Sequence, residues 1–270
     1  MTQSTNADLA AELEALAREA GEIAMGWFRA GERTSAQVSH KAGGSPVTEA
    51  DLAVDRFLRE KIARLNPSAA WLSEETADTP ERLEKSELAI VDPIDGTTAY
   101  VRGDARWAVS LALVVEGRPV AGVVHAPALG RTFTAQKGAG AFLNGVAIRV
   151  SARATLEGAR VVAPTMLAGA LERSRYGFAL APRAPSLALR LVDVARGEND
   201  IAIANPNSRD WDIAAADMIL SEAGGALLEI GDGPLRYNRQ SLRRETLVAA
   251  PAALIQESLD VARAALKGRL

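Results

Sequence analysis

The chain has 270 residues, 48% hydrophobic and 24% charged, the balance of a folded globular protein large enough for one compact unit of two subdomains. Its net charge of −3 offers no basic footprint for a nucleic-acid backbone, and the absence of cysteine excludes disulfides, thiolate metal sites and a cysteine nucleophile. With only His40 and His125, a His-rich zinc site or a Ser-His-Asp triad is disfavoured, and no apolar run reaches the ~20 residues of a membrane span.

The polar start, Met1 to Asp8, lacks the basic and apolar stretches of a signal peptide, so cytoplasm is the expected compartment. Asn6 or Asp8 is a candidate cap for a first helix, with Leu9, Leu13, Leu16, Ala20 and Ile23 at helical spacing and Gly31 as its stop. Lys41-Ala-Gly-Gly-Ser-Pro-Val-Thr-Glu-Ala-Asp51 reads as a loop entering a second helix, from near Thr48 to about Leu65. Thr48 and Asp51 have the spacing of a capping box. A short strand (Ala69 to Leu72) leads into Ser73-Glu74-Glu75, and the polar stretch from Thr76 to Glu87 reads as an exposed excursion.

Leu88 to Val91 is an apolar, strand-like run that ends at Asp92-Pro93-Ile94-Asp95-Gly96-Thr97. Proline cannot donate to a ladder, so the strand is expected to end there, and Gly96 permits a tight turn. The corner would present Asp92, the Ile94 carbonyl, Asp95 and the Thr97 hydroxyl to one point, a set of hard oxygens suited to Mg²⁺. Trp107 to Val115 and Val120 to His125 predict a hairpin about Glu116-Gly117-Arg118-Pro119, and Arg131 to Gln136 and Val146 to Val150 predict further strands.

Beyond about residue 150 the pattern alternates strand and helix. Arg160 to Ala163, Ile201 to Ala204, Ala226 to Ile230 and Leu247 to Ala250 read as strands. Met166 to Arg173, Ser186 to Ala195, Asp210 to Ala223 and Ala252 to Leu266 read as helices. Asp212, at the start of its helix, has the position of an acid favoured by the helix dipole.

Together these strings resemble the inositol monophosphatase superfamily, the Mg²⁺-dependent, lithium-sensitive phosphomonoesterases. The corner is similar to the signature Asp-Pro-Ile/Leu-Asp-Gly-Thr, and Trp211-Asp212 with Glu222-Ala223-Gly224-Gly225 to the second signature. Lys41 to Asp51 and Ser73-Glu74-Glu75 also match, so the resemblance spans roughly residues 40 to 250. It implies a layered αβαβα sandwich, with an N-terminal subdomain over residues 1–150 and a C-terminal one over 151–270. It also implies two or three Mg²⁺ per site. Glu74, Asp92 and the Ile94 carbonyl would hold a first, whose water faces Asp51 and Thr97. Asp92, Asp95 and Asp212 would hold a second. The amides of Gly96 and Thr97 would receive phosphate oxygens, with Glu75 supporting and Lys41 either balancing the acids or lying at the surface.

The implied substrate is a small phosphorylated metabolite, and the protein a monomer or homodimer that binds neither nucleic acid nor membrane. Inositol phosphatases usually carry an acid shortly before Trp-Asp, and this chain has none from Ile201 through Arg209. Ser186-Leu-Ala-Leu-Arg190 instead resembles a segment of the CysQ-type 3′(2′),5′-bisphosphate nucleotidases, in which Arg190 would meet a second phosphate unless it faces solvent. Thr98-Ala99-Tyr100 is closer to the inositol phosphatases. The expected order is therefore bisphosphate nucleotidase, then inositol monophosphatase, then histidinol-phosphate phosphatase, with fructose-1,6-bisphosphatase disfavoured by chain length. A phospholigand-binding regulatory protein without turnover is the alternative from another class.

Overall fold

The computed structural model describes residues 7–231 and 233–270. Helix α1 (Ala7–Met25) buries Leu13, Ala17, Ala20 and Ala24 on one stripe. Asp8 lies within this helix rather than capping it, and Asn6, the other candidate cap, falls outside the described residues. A hairpin of β1 (Val38–His40) and β2 (Pro46–Thr48) flanks the glycine-rich turn. Helix α2 (Glu49–Leu65) starts as its capping box predicts, with Thr48 accepting from the amides of Ala50 and Asp51.

The first large sheet has seven strands: β3 (Ala70–Ser73), β4 (Glu87–Asp95), β5 (Ala108–Val115), β6 (Arg118–Ala126), β7 (Arg131–Gln136), β8 (Gly140–Leu143) and β9 (Val146–Ile148). They lie in chain order, antiparallel except for the parallel pair β3–β4. The β5–β6 turn falls where expected but is shorter, with Arg118 and Pro119 already in β6. Glu116 (51°) and Gly117 (71°) have positive φ, as a two-residue hairpin turn matching strand twist requires.

Strand β4 does not stop at Pro93 as expected. It runs to Asp95, and the ladder slips between Asp92↔Ser110 and Asp95↔Ala108, three steps on one strand against two on the other. Pro93 sits in that bulge, where its missing N–H deprives no partner. The bulge brings Asp92, Ile94 and Asp95 to the sheet end before Gly96, at φ 96°, turns the chain into α3 (Thr97–Val101).

The second sheet has five strands in the order β11-β10-β12-β14-β13. These are β10 (Arg160–Val162), β11 (Ala179–Leu180), β12 (Ile201–Ala204), β13 (Gly225–Glu229) and β14 (Leu247–Pro251), with helices α4 (Thr165–Glu172), α5 (Leu187–Ala195), α6 (Asp210–Glu222) and α7 (Ile255–Leu266) between and after them. The layers run α1/α2, seven-stranded sheet, α5/α6, five-stranded sheet, α4/α7. This is the expected αβαβα sandwich.

Burial explains the continuous apolar runs. Along β4, Leu88 and Ile90 face the central helices while Ala89 and Val91 face α1 and α2. A strand covered on both faces has no side left to be polar. Helix α6 is likewise buried nearly all round, and its alanines let it lie close to the sheet. A Cβ at Gly122 would come within 2.8 Å of the Ala215 carbonyl. Among the described residues no helix is long and apolar enough to cross a membrane.

At the head of α6 lies a fully buried ion pair, Asp210 with Arg244, at 2.7 Å. Burial pushes Asp210 up to about 6, against the pull of Arg244. Arg244→Met would leave this carboxylate without its countercharge, and should cost about 3 kcal/mol at pH 8 in urea unfolding. Loss of the cation raises the folded-state value further. A raised carboxylate loses stability as pH rises, so the penalty should shrink towards pH 5.

Candidate active site

Each acid of the site is delivered by an element end. Glu74 follows β3, Asp92 and Asp95 end β4, Asp51 lies in the first turn of α2 and Asp212 in the first turn of α6. Carboxylate oxygens of Glu74, Asp92 and Asp212 all lie within 4.8 Å of one another, a spacing that suits one divalent cation among hard oxygens.

The acids repel, and the surroundings make this expensive. Burial, then the charges of Glu74, Asp95, Asp212 and Asp51, push Asp92 well above the usual carboxylate range. Burial and Asp95 do the same to Asp212. Burial lifts Asp51 to about 6 and Glu75 to about 7. The nearby cation that answers part of this charge is Lys41, whose Nζ donates to Glu74 Oε1 and Glu75 Oε1, both at 2.7 Å. Burial draws Lys41 down, but the two carboxylates outweigh it and hold the lysine above its ordinary value. Lys41 is therefore half-buried and tied to the two glutamates rather than free at the surface.

Asp51 serves two purposes. Its Oδ2 accepts from the Thr48 amide (2.8 Å) and hydroxyl (2.6 Å), completing the cap. Its Oδ1 lies 3.2 Å from Thr97 Oγ1, which is also 3.1 Å from the Ile94 carbonyl. The Thr97 hydroxyl has one proton and donates to one of these acceptors at a time.

Asp95 is oriented differently from the other acids. Its Oδ2 accepts from the Ser186 hydroxyl and from the Ala188 amide (2.6 Å), and its Oδ1 only a long bond from the Leu187 amide (3.3 Å). Asp95 thus anchors the start of α5 against the corner, while Ser186 caps that helix by accepting from Leu189. Gly96 makes the approach possible, since a Cβ there would lie 3.3 Å from the Ser186 nitrogen.

Arg190 does not face solvent. It is 6% exposed, its Nε donates to the Ser186 carbonyl at 3.2 Å, and among the described residues nothing pairs with its Nη groups. Burial and neighbouring Arg183 push it down to about 10, against the charges of Asp95 and Asp212.

Sequence reasoning missed Asp55. It lies on the buried side of α2, where Ser73 Oγ donates to one of its oxygens and Thr76 Oγ1 to the other at 2.8 Å. It thereby clamps both ends of the Glu74–Glu75 turn. An acid one turn beyond Asp51, beside the apolar stripe of Val54 and Leu58, was the available signal. The excursion from Thr76 to Glu87 is exposed as expected over most of its length, but Arg82 is buried within a 3-10 turn (Pro80–Glu84).

A model of the inositol monophosphatase family matches residues 5–265. The chain belongs to the inositol monophosphatase family. That match reaches beyond the stretch of resemblance seen in the sequence at both ends. The chain is 33% identical over 244 residues to the 3′(2′),5′-bisphosphate nucleotidase CysQ of Aggregatibacter actinomycetemcomitans, covering 83% of this chain and 86% of that protein. It is 33% identical over 261 residues to the histidinol-phosphatase of Chlorobaculum parvum, covering 92% and 93%. The Thermotoga maritima IMPase superposes with a TM-score of 0.81 at 28% identity, covering 97% of this chain and 100% of that one. By family the chain is a phosphoric monoester hydrolase, and the near-equal identities leave its ester undivided between branches.

Proposed function

We propose that the chain is a Mg²⁺-dependent 3′(2′),5′-bisphosphate nucleotidase, releasing phosphate from a nucleotide that carries a second phosphate. The observation that carries the choice of ester is Arg190, a buried guanidinium beside Asp95 and Asp212 with Nη donors left for a ligand. Such a fork suits a phosphate held bidentately. Thr98-Ala99-Tyr100, the string closer to the inositol phosphatases, has a local explanation. Tyr100 is fully buried against Phe28 and Trp107, and its hydroxyl donates to the Ala24 carbonyl at 2.7 Å.

The donor set fits Mg²⁺, being all oxygen, crowded and only partly compensated by Lys41 and Arg190. In this reading Glu74, Asp92 and the Ile94 carbonyl would hold one ion, and Asp92, Asp95 and Asp212 would hold a second. When bound, Mg²⁺ supplies the positive charge that neutralises the ester phosphate and acidifies a water. The chain's own residues do the rest. Asp51, ionised at neutral pH, accepts the proton of the attacking water through the Thr97 hydroxyl. The amides of Gly96 and Thr97 receive phosphate oxygens. Lys41 and Asp55 fix Glu74. The water oxygen bonds to phosphorus as the bond from phosphorus to the ester oxygen breaks, and the departing oxygen takes up a proton from solvent water. The unit up to about residue 150 supplies most ligands, and the following unit supplies Asp212 and Arg190.

The test is phosphate release from adenosine 3′,5′-bisphosphate, inositol 1-phosphate and histidinol phosphate, side by side with Mg²⁺. The bisphosphate should be preferred, and Arg190→Ala should raise its KM about ten-fold or more with a smaller change in kcat, as losing a charged hydrogen-bonding partner does. Preference for either monophosphate, unchanged in the variant, would refute the ester assignment.

A further inference from the structure

Glu74 and Asp92 lie at one end of the seven-stranded sheet, just after β3 and near the end of β4, whereas Asp212 arrives on α6, and five mutually repelling acids cannot set their own separation. We infer that Arg82 pins a strap, Arg236 to Arg239, that holds Asp212 at its distance from Glu74, which makes Arg82 a positioning residue for the metal site. The inference rests on the metal reading above.

The contacts form one continuous path. Arg82 is 3% exposed in an otherwise polar excursion, a burial that requires partners. It binds Asp78 through Nε (2.6 Å) and Nη2 (3.0 Å), the Asn238 side chain through Nη1 (3.0 Å) and the Arg239 carbonyl through Nη2 (3.0 Å). Asn238 answers by donating to the carbonyls of Arg82 (2.9 Å) and Lys85 (3.1 Å). The excursion so tied is the direct continuation of the Glu74–Glu75 turn.

From the strap, two contacts reach α6 on either side of Asp212. The Arg236 carbonyl accepts from Arg244 Nη2 at 2.7 Å, and Arg244 holds Asp210. The Tyr237 hydroxyl donates to Asp217 Oδ2 at 2.9 Å. The Tyr237 amide also donates to the Gly117 carbonyl at 3.0 Å, anchoring the strap to the β5–β6 turn. Asp212 is thus bracketed, two residues after one tie and five before the other, by a segment that Arg82 fixes to the chain carrying Glu74. A purely structural clamp needs none of these connections to converge on the first two turns of one helix.

The test is calorimetric Mn²⁺ binding to the full chain, with thermal unfolding in EDTA run in parallel. The variants are Arg82→Lys, which keeps charge but loses the fork, and Asn238→Gly, which removes the amide. Glycine also suits the positive φ of 57° at that position. Val261→Ala, in the outer apolar cluster around α7, serves as a control that lowers stability away from the site. Both strap variants should weaken Mn²⁺ by about ten-fold, the low end of what losing a ligand's support costs. The control should bind as wild type does. Wild-type affinity in both strap variants would overturn the strap while leaving the metal site standing. Equal weakening in the control would overturn it too, as general loosening. A wild-type chain that binds no Mn²⁺ would refute the metal reading, and the strap with it.

Discussion

Asp92→Asn should reduce Mg²⁺-supported phosphate release by about 10³-fold or more while making the metal-free protein harder to melt. Asp92 stands at the centre of the acid cluster, and in the reading above it touches both ions. Loss of its charge removes several kcal/mol of stabilisation from the reaction. The same charge is unwelcome in the absence of metal, because burial and four neighbouring acids push Asp92 well above its ordinary value. Asparagine keeps an oxygen for the Ile94 amide, which now donates to Asp92 at 3.0 Å, and it removes the repulsion. The pH dependence has a fixed sign. A carboxylate raised on folding loses stability as pH rises from its unfolded value through its folded one. The advantage of the variant in EDTA should therefore be absent near pH 4 and grow towards pH 8. Adding Mg²⁺ should raise the melting temperature of wild type and not of the variant. Ordinary damage to the fold would instead lower the melting point at every pH.

Asp51→Asn should lower kcat by about 10²- to 10⁴-fold, the range of a lost general base, with metal affinity close to wild type. Asparagine still offers an oxygen to the Thr48 amide, so the helix start should weaken by no more than about 1 kcal/mol. What it cannot do is accept a proton by way of Thr97. Asp51 lies at about 6 with the cluster free of metal, and positive charge beside Glu74 moves it down. The acid limb of the wild-type kcat profile should accordingly fall at or below pH 6, and it should be missing from the residual activity of the variant. A variant with near-normal kcat would reduce Asp51 to a helix cap.

Much of the site was legible because one stretch of chain carries so much of it. Asp92, Ile94, Asp95, Gly96 and Thr97 fall within six consecutive residues, so bringing them to one corner needs only a strand, a proline and a glycine. The bulge at Pro93 carries the strand on to Asp95, whose carboxylate turns to the start of α5 while that of Asp92 lies with those of Glu74 and Asp212. Asp51 was legible as a cap, and the structure shows that the cap and the approach to Thr97 use different oxygens of one carboxylate. Asp212 looked like any acid in a first turn, and only the resemblance brought it to the site.

What stayed hidden depends on pairing across long separations. Arg82 and Asn238 are 156 residues apart, and nothing local distinguishes this arginine from the exposed ones. Arg190 sits in a helix covered by a sheet on either side, so its burial follows from the layering and not from the period of its own sequence. The hairpin of β1 and β2 and the two-residue β11 are too short to show alternation.

The most direct measurement is phosphate release from a panel of small phosphate monoesters and bisphosphates by the purified chain, first with Mg²⁺ and then with EDTA in excess. A Mg²⁺-dependent phosphatase should turn over at least one ester with Mg²⁺, lose that turnover in EDTA and regain it when Mg²⁺ is restored. No release from any ester in Mg²⁺, or release indifferent to EDTA, would contradict that function, and the first of these would revive a phospholigand-binding protein that keeps the fold without turnover.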